Sequence, residues 1–363
     1  MAHASQTPIA FSTSPETPEA GEARTIIDLN ETLRSIIATT SKDSGHGFRA
    51  AHAKGHALLQ ATLNVPGDLP PRLAQGMFAK RAQYKAFMRF STIPGDILDD
   101  KVSVPRGLGL KVAGVEGERL AGSQEDGVQD FLFTNGPAFS IPTAAKCLGT
   151  LQLVAKTTDK AEWAKLALSS ALRGVESIVG DIPALAAMGG YKPTNPAGDR
   201  YFSQPPFRHG DHVAKYSIVP VSTELVGLAD EIIDLSGGRD RIREEIVRFF
   251  ATNGGIWALR AQLPTDLATM PIENASIPWP EEQSPYEIVA RIEVEPQTAW
   301  SEVRALAIDD GMAFSPWNCL AAHQPMGSIN RVRSEAYAMS SNLRSKINGC
   351  PKHGAVAGLN LEP

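Results

Sequence analysis

Between Glu22 and about Thr40, apolar residues recur at helical spacing (Ile26, Ile27, Leu29, Leu33, Ile36 and Ile37), which predicts an amphipathic helix. From Arg49 to Val65 the pattern turns to alternation and predicts a strand, closed by Pro66-Gly67-Asp68. Further strands are expected at Tyr84–Thr92, Gly107–Val115 and Gln129–Thr134, separated by Gly, Pro and Asp turns. A helical block follows at Thr143–Lys156 and Lys160–Val179, ending near Pro183. Strand patterns return at His212–Val221, Gly255–Leu263 and Tyr286–Val294, with a helix near Asp240–Ala251 between the first two. The last strong signal is a helix from about Ser328 to Ile347. Strands that alternate, with helices inserted and appended, predict an α+β fold around a closed or nearly closed antiparallel β-barrel. No linker is evident, so residues 23–363 read as one domain. Residues 1–22, rich in Ser, Thr, Pro and Glu, read as a flexible arm.

Composition narrows the function classes. With 40 acidic against 35 basic residues, a nucleic-acid-binding face is not expected. No run approaches 18 apolar residues, so no membrane span is expected. The three cysteines, Cys147, Cys319 and Cys350, are far apart and odd in number. They exclude a disulfide framework and a CxxC zinc site, and they suit a reducing, cytoplasmic setting. The absence of a basic n-region before an apolar h-region at the N-terminus agrees with that.

Four clusters could carry chemistry. On the C-terminal helix, Tyr337 falls about 40° round from Arg333 and Arg344 about 20° from Tyr337, so all three share a narrow face. That face is either solvated, its arginines meeting nearby carboxylates, or it holds an anion and an ionised tyrosine. A phenol is a poor ligand until a cation or metal stabilises its anion. In the second cluster, His52, Lys54 and His56 share one face of the expected strand, with Ala51, Ala53 and Ala57 on the other. This is a polar edge, or a pocket in which His52 is an acid/base. Arg89 and Ser91 share a strand face in the third, where a serine hydroxyl could orient an imidazole. The fourth is a strand end that leaves Asn135 at the mouth of a turn. His209 with His212, and His323 with Met326, read as structural rather than as metal or haem ligands, since no third ligand accompanies the first pair and the second sits in a loop bearing Pro and Gly.

Taken in order, these segments resemble the haem-dependent catalase superfamily. Arg49-Ala-Ala-His52-Ala-Lys-Gly55 is similar to its RVVHAKG element, Arg89-Phe-Ser-Thr92 to RFST, and Pro105-Arg-Gly-Leu-Gly-Leu-Lys111 to the RGFAxK strand. Asn135-Gly-Pro-Ala-Phe139 is similar to the NTPxF turn, and Arg333-x-x-x-Tyr337 with Arg344 to the proximal-helix motif. The resemblance runs from about Arg49 to Arg344, and the chain's length suits the short, peroxidase-like branch of the superfamily. It implies a catalase-like barrel and a haem b whose iron is held by Tyr337. Arg333 would keep the phenol oxygen anionic, and Arg49, Arg89 and Arg344 would pair with the propionates. His52 would move the peroxide proton, Ser91 would orient it, and Asn135 would hydrogen-bond the substrate. Hydrogen peroxide or a small organic hydroperoxide would be reduced through a ferryl state, and a homo-oligomer is among the expectations. The same scaffold also serves fatty-acid hydroperoxide lyases and allene-oxide-synthase-like isomerases. In the latter a hydroxyl side chain precedes the distal histidine, and Ala51 supplies none.

Overall fold

A computed structural model describes residues 7–12, 16–123, 127–157 and 191–349. Among the described residues nine strands follow one another: β1 Gly55–Val65, β2 Ala82–Thr92, β3 Arg106–Ala113, β4 Val128–Thr134, β5 Tyr201–Phe202, β6 Phe207–His209, β7 His212–Pro220, β8 Gly255–Gln262 and β9 Glu287–Val294. They pair antiparallel in the order β5-β4-β3-β2-β1-β9-β8-β7-β6, and β5 pairs again with β7. That second pairing closes eight strands into a barrel, with β6 as a hairpin arm on β7. The α+β barrel expected from the alternation is therefore present.

Alternation works here by sending one set of side chains inward and the other into a second layer. Phe90, Leu110, Phe131, Tyr216, Trp257 and Ile292 fill the barrel. The outward set of β2–β4 is also buried where it is covered. Lys111 and Asp130, register partners across β3 and β4, form a fully buried ion pair at 2.9 Å. A second layer is built by α1 (Glu22–Ser44), α2 (Ala144–Thr157) and the long helix α4 (Ser328–Asn348). Leu29, Ala144 and Val332 join the three. Helix α3 (Arg241–Phe250) presses Ile242, Ile246 and Phe250 onto the barrel core.

Three features depart from the sequence pattern. The strand expected from Arg49 begins only at Gly55, because His52 adopts φ 60, in the left-handed region, and a bulge falls between Gly55 and Ala57. His52, Lys54 and His56 consequently do not share a face. Secondly, described parts of the N-terminal arm are docked. Ile9 and Phe11 donate to the carbonyls of Pro264 and Asp211 at 2.8 and 2.7 Å, and Arg331 gathers Glu16, Glu22 and Glu273. Thirdly, the two- and three-residue strands β5 and β6 were too short to show a period. The helix expected over 160–179 lies outside the described residues.

Candidate functional site

A cleft, open on one side to solvent, lies between the outer wall of β2–β4 and α4. Helix α4 faces it with Arg333, Ala336, Tyr337, Ser340, Ser341 and Arg344, a stripe at i, i+3, i+4, i+7, i+8 and i+11. Strand β2 offers Arg89 and Ser91, which alternate outward, and the segment before β1 offers Arg49 and His52. Leu33, Leu108, Leu132, Phe133 and Phe314 make the remaining walls largely apolar. Among the described residues, four arginines line the cleft and no carboxylate does.

His52 is fixed from three sides. Its backbone N–H donates to the Ile93 carbonyl at 2.7 Å, holding the left-handed turn in place. Its Nδ1 lies 3.1 Å from Ser91 Oγ, and that hydroxyl donates to the Gly107 carbonyl at 3.4 Å. Since Ser91 spends its proton on Gly107, Nδ1–H is the donor and Nε2 carries the free lone pair. The ring packs against Gly107, where a Cβ would stand only 2.3 Å from it, so glycine is required by close approach. Burial, followed by the guanidiniums of Arg89, Arg333 and Arg49, pulls His52 down to about 3. The imidazole is neutral at pH 7.

The arginine cluster is organised by a residue that the sequence reading missed. Asp309 Oδ1 accepts from Arg49 Nη1 at 3.1 Å and from Arg89 Nε. It is presented by a π-helical turn, Ala305–Asp310, that runs on from Glu302–Arg304. Arg49 Nη2 also donates to the carbonyls of Ile308 and Met312 at 3.1 and 2.9 Å, and Arg344 Nη2 to that of Met312 at 3.1 Å. Burial pushes the Asp309 carboxyl up, but Arg89 and Arg49 outweigh it and hold it below the usual range. Burial and the charges of Arg89 and Arg344 depress Arg49 against the pull of Asp309. No local motif marks Asp309, whose partners come from residues more than two hundred positions away.

The other expected residues divide. Tyr337 lines the cleft. Arg333, one turn earlier, also lines it and directs Nη1 to Asn330 Oδ1 at 3.2 Å. Asn135 is not in the cleft wall: its Oδ1 accepts from the Arg106 N–H at 2.9 Å and its Nδ2 donates to Asp199 at 3.3 Å, while Thr134 takes the place beside the cleft. Lys54 is buried elsewhere, paired with Asp100 at 2.6 Å and Asp240 at 2.9 Å. His56 is buried at the bulge of β1. His209 and His323 are packed inside the barrel region, and no metal-binding group of three ligands occurs among the described residues.

A closed antiparallel barrel with helices over one flank and this cleft between them is a catalase-like fold. The same fold is found in catalase A from Saccharomyces cerevisiae (TM-score 0.58, 17% identity, 96% of this chain and 72% of that one). It recurs in a fungal catalase (0.60, 16%, 96% and 70%) and in a bacterial catalase (0.55, 18%, 98% and 68%). No family model matches the sequence, and no curated protein matches it.

Proposed function

We propose that this chain is a haem-dependent enzyme that reduces peroxide, with haem b as cofactor and hydrogen peroxide or a small organic hydroperoxide as substrate. The observation that carries the reading is the charge of the cleft among the described residues: four guanidiniums line it, only Arg49 and Arg89 share a carboxylate, that of Asp309 behind the wall, and a neutral imidazole and a phenol stand beside them. Such a lining asks for an anionic occupant, and the two propionates of a haem meet that demand. Gly107 and Gly109 leave room for His52 and Phe314 to lie against the strand wall, and the apolar sides suit a macrocycle. Tyr337 would hold the iron through its phenol oxygen, with Arg333 one turn away to favour the anion. Arg49, Arg89 and Arg344 would pair with the propionates. Bound there, haem supplies the redox-active iron at which a peroxide O–O bond is cleaved.

The remaining steps belong to the chain. Asp309 holds Arg49 and Arg89 in place before any ligand arrives, so their ordering is not charged against binding. Ser91 and Gly107 fix the ring of His52 with Nε2 as the basic nitrogen. Nε2 takes the proton from the peroxide O–H. Because imidazolium is poorly tolerated among buried guanidiniums, His52 returns that proton to the departing oxygen, which leaves as water from hydrogen peroxide or as the alcohol from an organic hydroperoxide. A reducing, cytoplasmic setting goes with this reading.

The test is peroxide consumption, oxygen evolution and donor oxidation by the haem-loaded protein, beside product analysis with a fatty-acid hydroperoxide. The parent should consume hydrogen peroxide, and His52→Ala should be slower by about 10²–10⁴-fold while retaining haem. Rearranged fatty-acid products without peroxide reduction would assign the site to isomerase or lyase chemistry instead.

A further inference from the structure

Beyond the β4 wall, three fully buried side chains form a hydrogen-bonded line: His209, Tyr216 and His323. Tyr216 Oη lies 2.8 Å from His209 Nδ1 and 3.1 Å from His323 Nδ1. The outer ends of the line fix both tautomers. His209 Nε2 faces the Leu73 carbonyl at 3.0 Å and must donate to it, so its Nδ1 accepts. His323 Nε2 accepts the Met77 N–H at 3.1 Å, so its Nδ1 donates. The phenol therefore gives its proton to His209 and receives a hydrogen bond from His323, and none of the three side chains carries a charge. Burial pulls His209 down to about 4, holds His323 well below its ordinary value and raises Tyr216, which agrees with a neutral resting line.

The line is connected to the cleft through aromatic rings. Phe133, on the cleft wall, stacks on Phe131 at 6.3 Å, and Phe131 meets Tyr216 edge-on at 5.0 Å. A barrel core could be filled by apolar residues at these positions with no polar group to satisfy. A phenol buried without a charge partner but with a dedicated proton acceptor has a specific use: it can lose an electron only if its proton moves as well, and here the proton has somewhere to go.

We propose that Tyr216 is a redox-active tyrosine that stores one oxidising equivalent from the cleft, with His209 as its proton acceptor. The proposal rests on the peroxide reading only for the source of the oxidant, a high-potential one-electron oxidant generated from peroxide. Tyr216 gives that oxidant one electron. Its O–H bond breaks, the proton passes to His209 Nδ1, and a neutral phenoxyl remains, still hydrogen-bonded by His323 Nδ1–H. His209 becomes imidazolium, with its Nε2–H still on the Leu73 carbonyl. A one-electron donor reverses the step as the proton returns.

Two arms test this. In the first, haem-loaded protein is mixed with hydrogen peroxide without donor, freeze-quenched and read by electron paramagnetic resonance, with ring-deuterated tyrosine to identify the radical. In the second, the protein is oxidised by flash-quench of a ruthenium tris-bipyridyl complex, with no peroxide involved. Both should give a tyrosyl radical that is lost in Tyr216→Phe. In His209→Gln, the radical yield should fall at least 10-fold. Tyr216→Phe should leave peroxide consumption within two-fold of the parent, which also reports that the variant is folded. A radical of unchanged yield and line shape in Tyr216→Phe overturns the proposal, as does flash oxidation that yields no radical at Tyr216. Failure of peroxide alone, with the flash arm intact, counts against the peroxide reading and not against Tyr216.

Discussion

His52 shows how much one residue's surroundings decide. Its type and its place after Arg49 were legible in the sequence, but its geometry was not. Alternation placed it on a strand beside Lys54 and His56, whereas a left-handed φ turns it out of strand geometry altogether. Nothing local announces that turn, since residue 52 is not glycine; it is held by Ile93, Ser91 and Gly107 from other segments. Backbone strain of this kind costs on the order of 1–3 kcal/mol and persists only when neighbours over-determine it. Gly107 supplies a direct test. Gly107→Ala puts a Cβ in the volume of the ring, so the imidazole must move while the barrel stays closed. Peroxide turnover should then fall by about 10²–10⁴-fold, the usual contribution of a placed acid/base. An unchanged turnover, measured on protein with parental circular dichroism, would show that the position of His52 does not matter. Asn135 carries the opposite lesson. The turn was recognisable, yet its carboxamide is taken by Arg106 and Asp199, a choice made by tertiary partners.

At the scale of elements, the long regular pieces were readable and the short irregular ones were not. Strands β2 and β3 and helix α4 reveal themselves by periods of 2 and 3.6, because each must show one face to the barrel or the cleft. The face of α4 bearing Arg333, Tyr337 and Arg344 was visible for the same reason, and it does line one cavity. The π-helical turn Ala305–Asp310 has no such period, so Asp309 could not be found from sequence. Its removal should nevertheless be destabilising. Asp309→Asn leaves the buried Arg89 and the partly buried Arg49 without their shared carboxylate; breaking a fully buried pair this way costs about 3–5 kcal/mol, and this partly exposed cluster less. The loss should be larger without an anionic ligand than with haem bound, since propionates would restore the missing negative charge. Urea unfolding of both forms measures the difference. Equal stability of parent and variant would mean that Asp309 does not organise the cluster.

For the molecule as a whole, four histidines among the described residues, three buried and His52 partly buried, link folding to pH. His52 is pulled down to about 3 and His209 to about 4, and His56 and His323 are also held well below their ordinary value. An unfolded histidine takes its proton near pH 6.5. As pH falls below that, the unfolded chain binds protons that the folded chain refuses, so stability must drop, by up to about 1.4 kcal/mol per pH unit for each histidine. Urea midpoints should therefore fall steeply between pH 6.5 and 5, before most carboxylates titrate. A flat profile over that window would contradict the burial of these rings in a neutral state. His52 itself stays neutral down to about pH 3 in the folded protein, so the acid limb of peroxide turnover should follow unfolding rather than titration of the base.

The central claim is that the cleft holds haem through Tyr337 between the arginines and His52. It is tested most directly by the visible absorption spectrum of the purified chain titrated with ferric haem, beside Tyr337→Phe. One haem per chain should bind to the parent with the charge-transfer bands of a phenolate-ligated ferric iron, and Tyr337→Phe should lose those bands or the haem itself. A parent that binds no haem, or a Tyr337→Phe spectrum identical to that of the parent, would contradict the account.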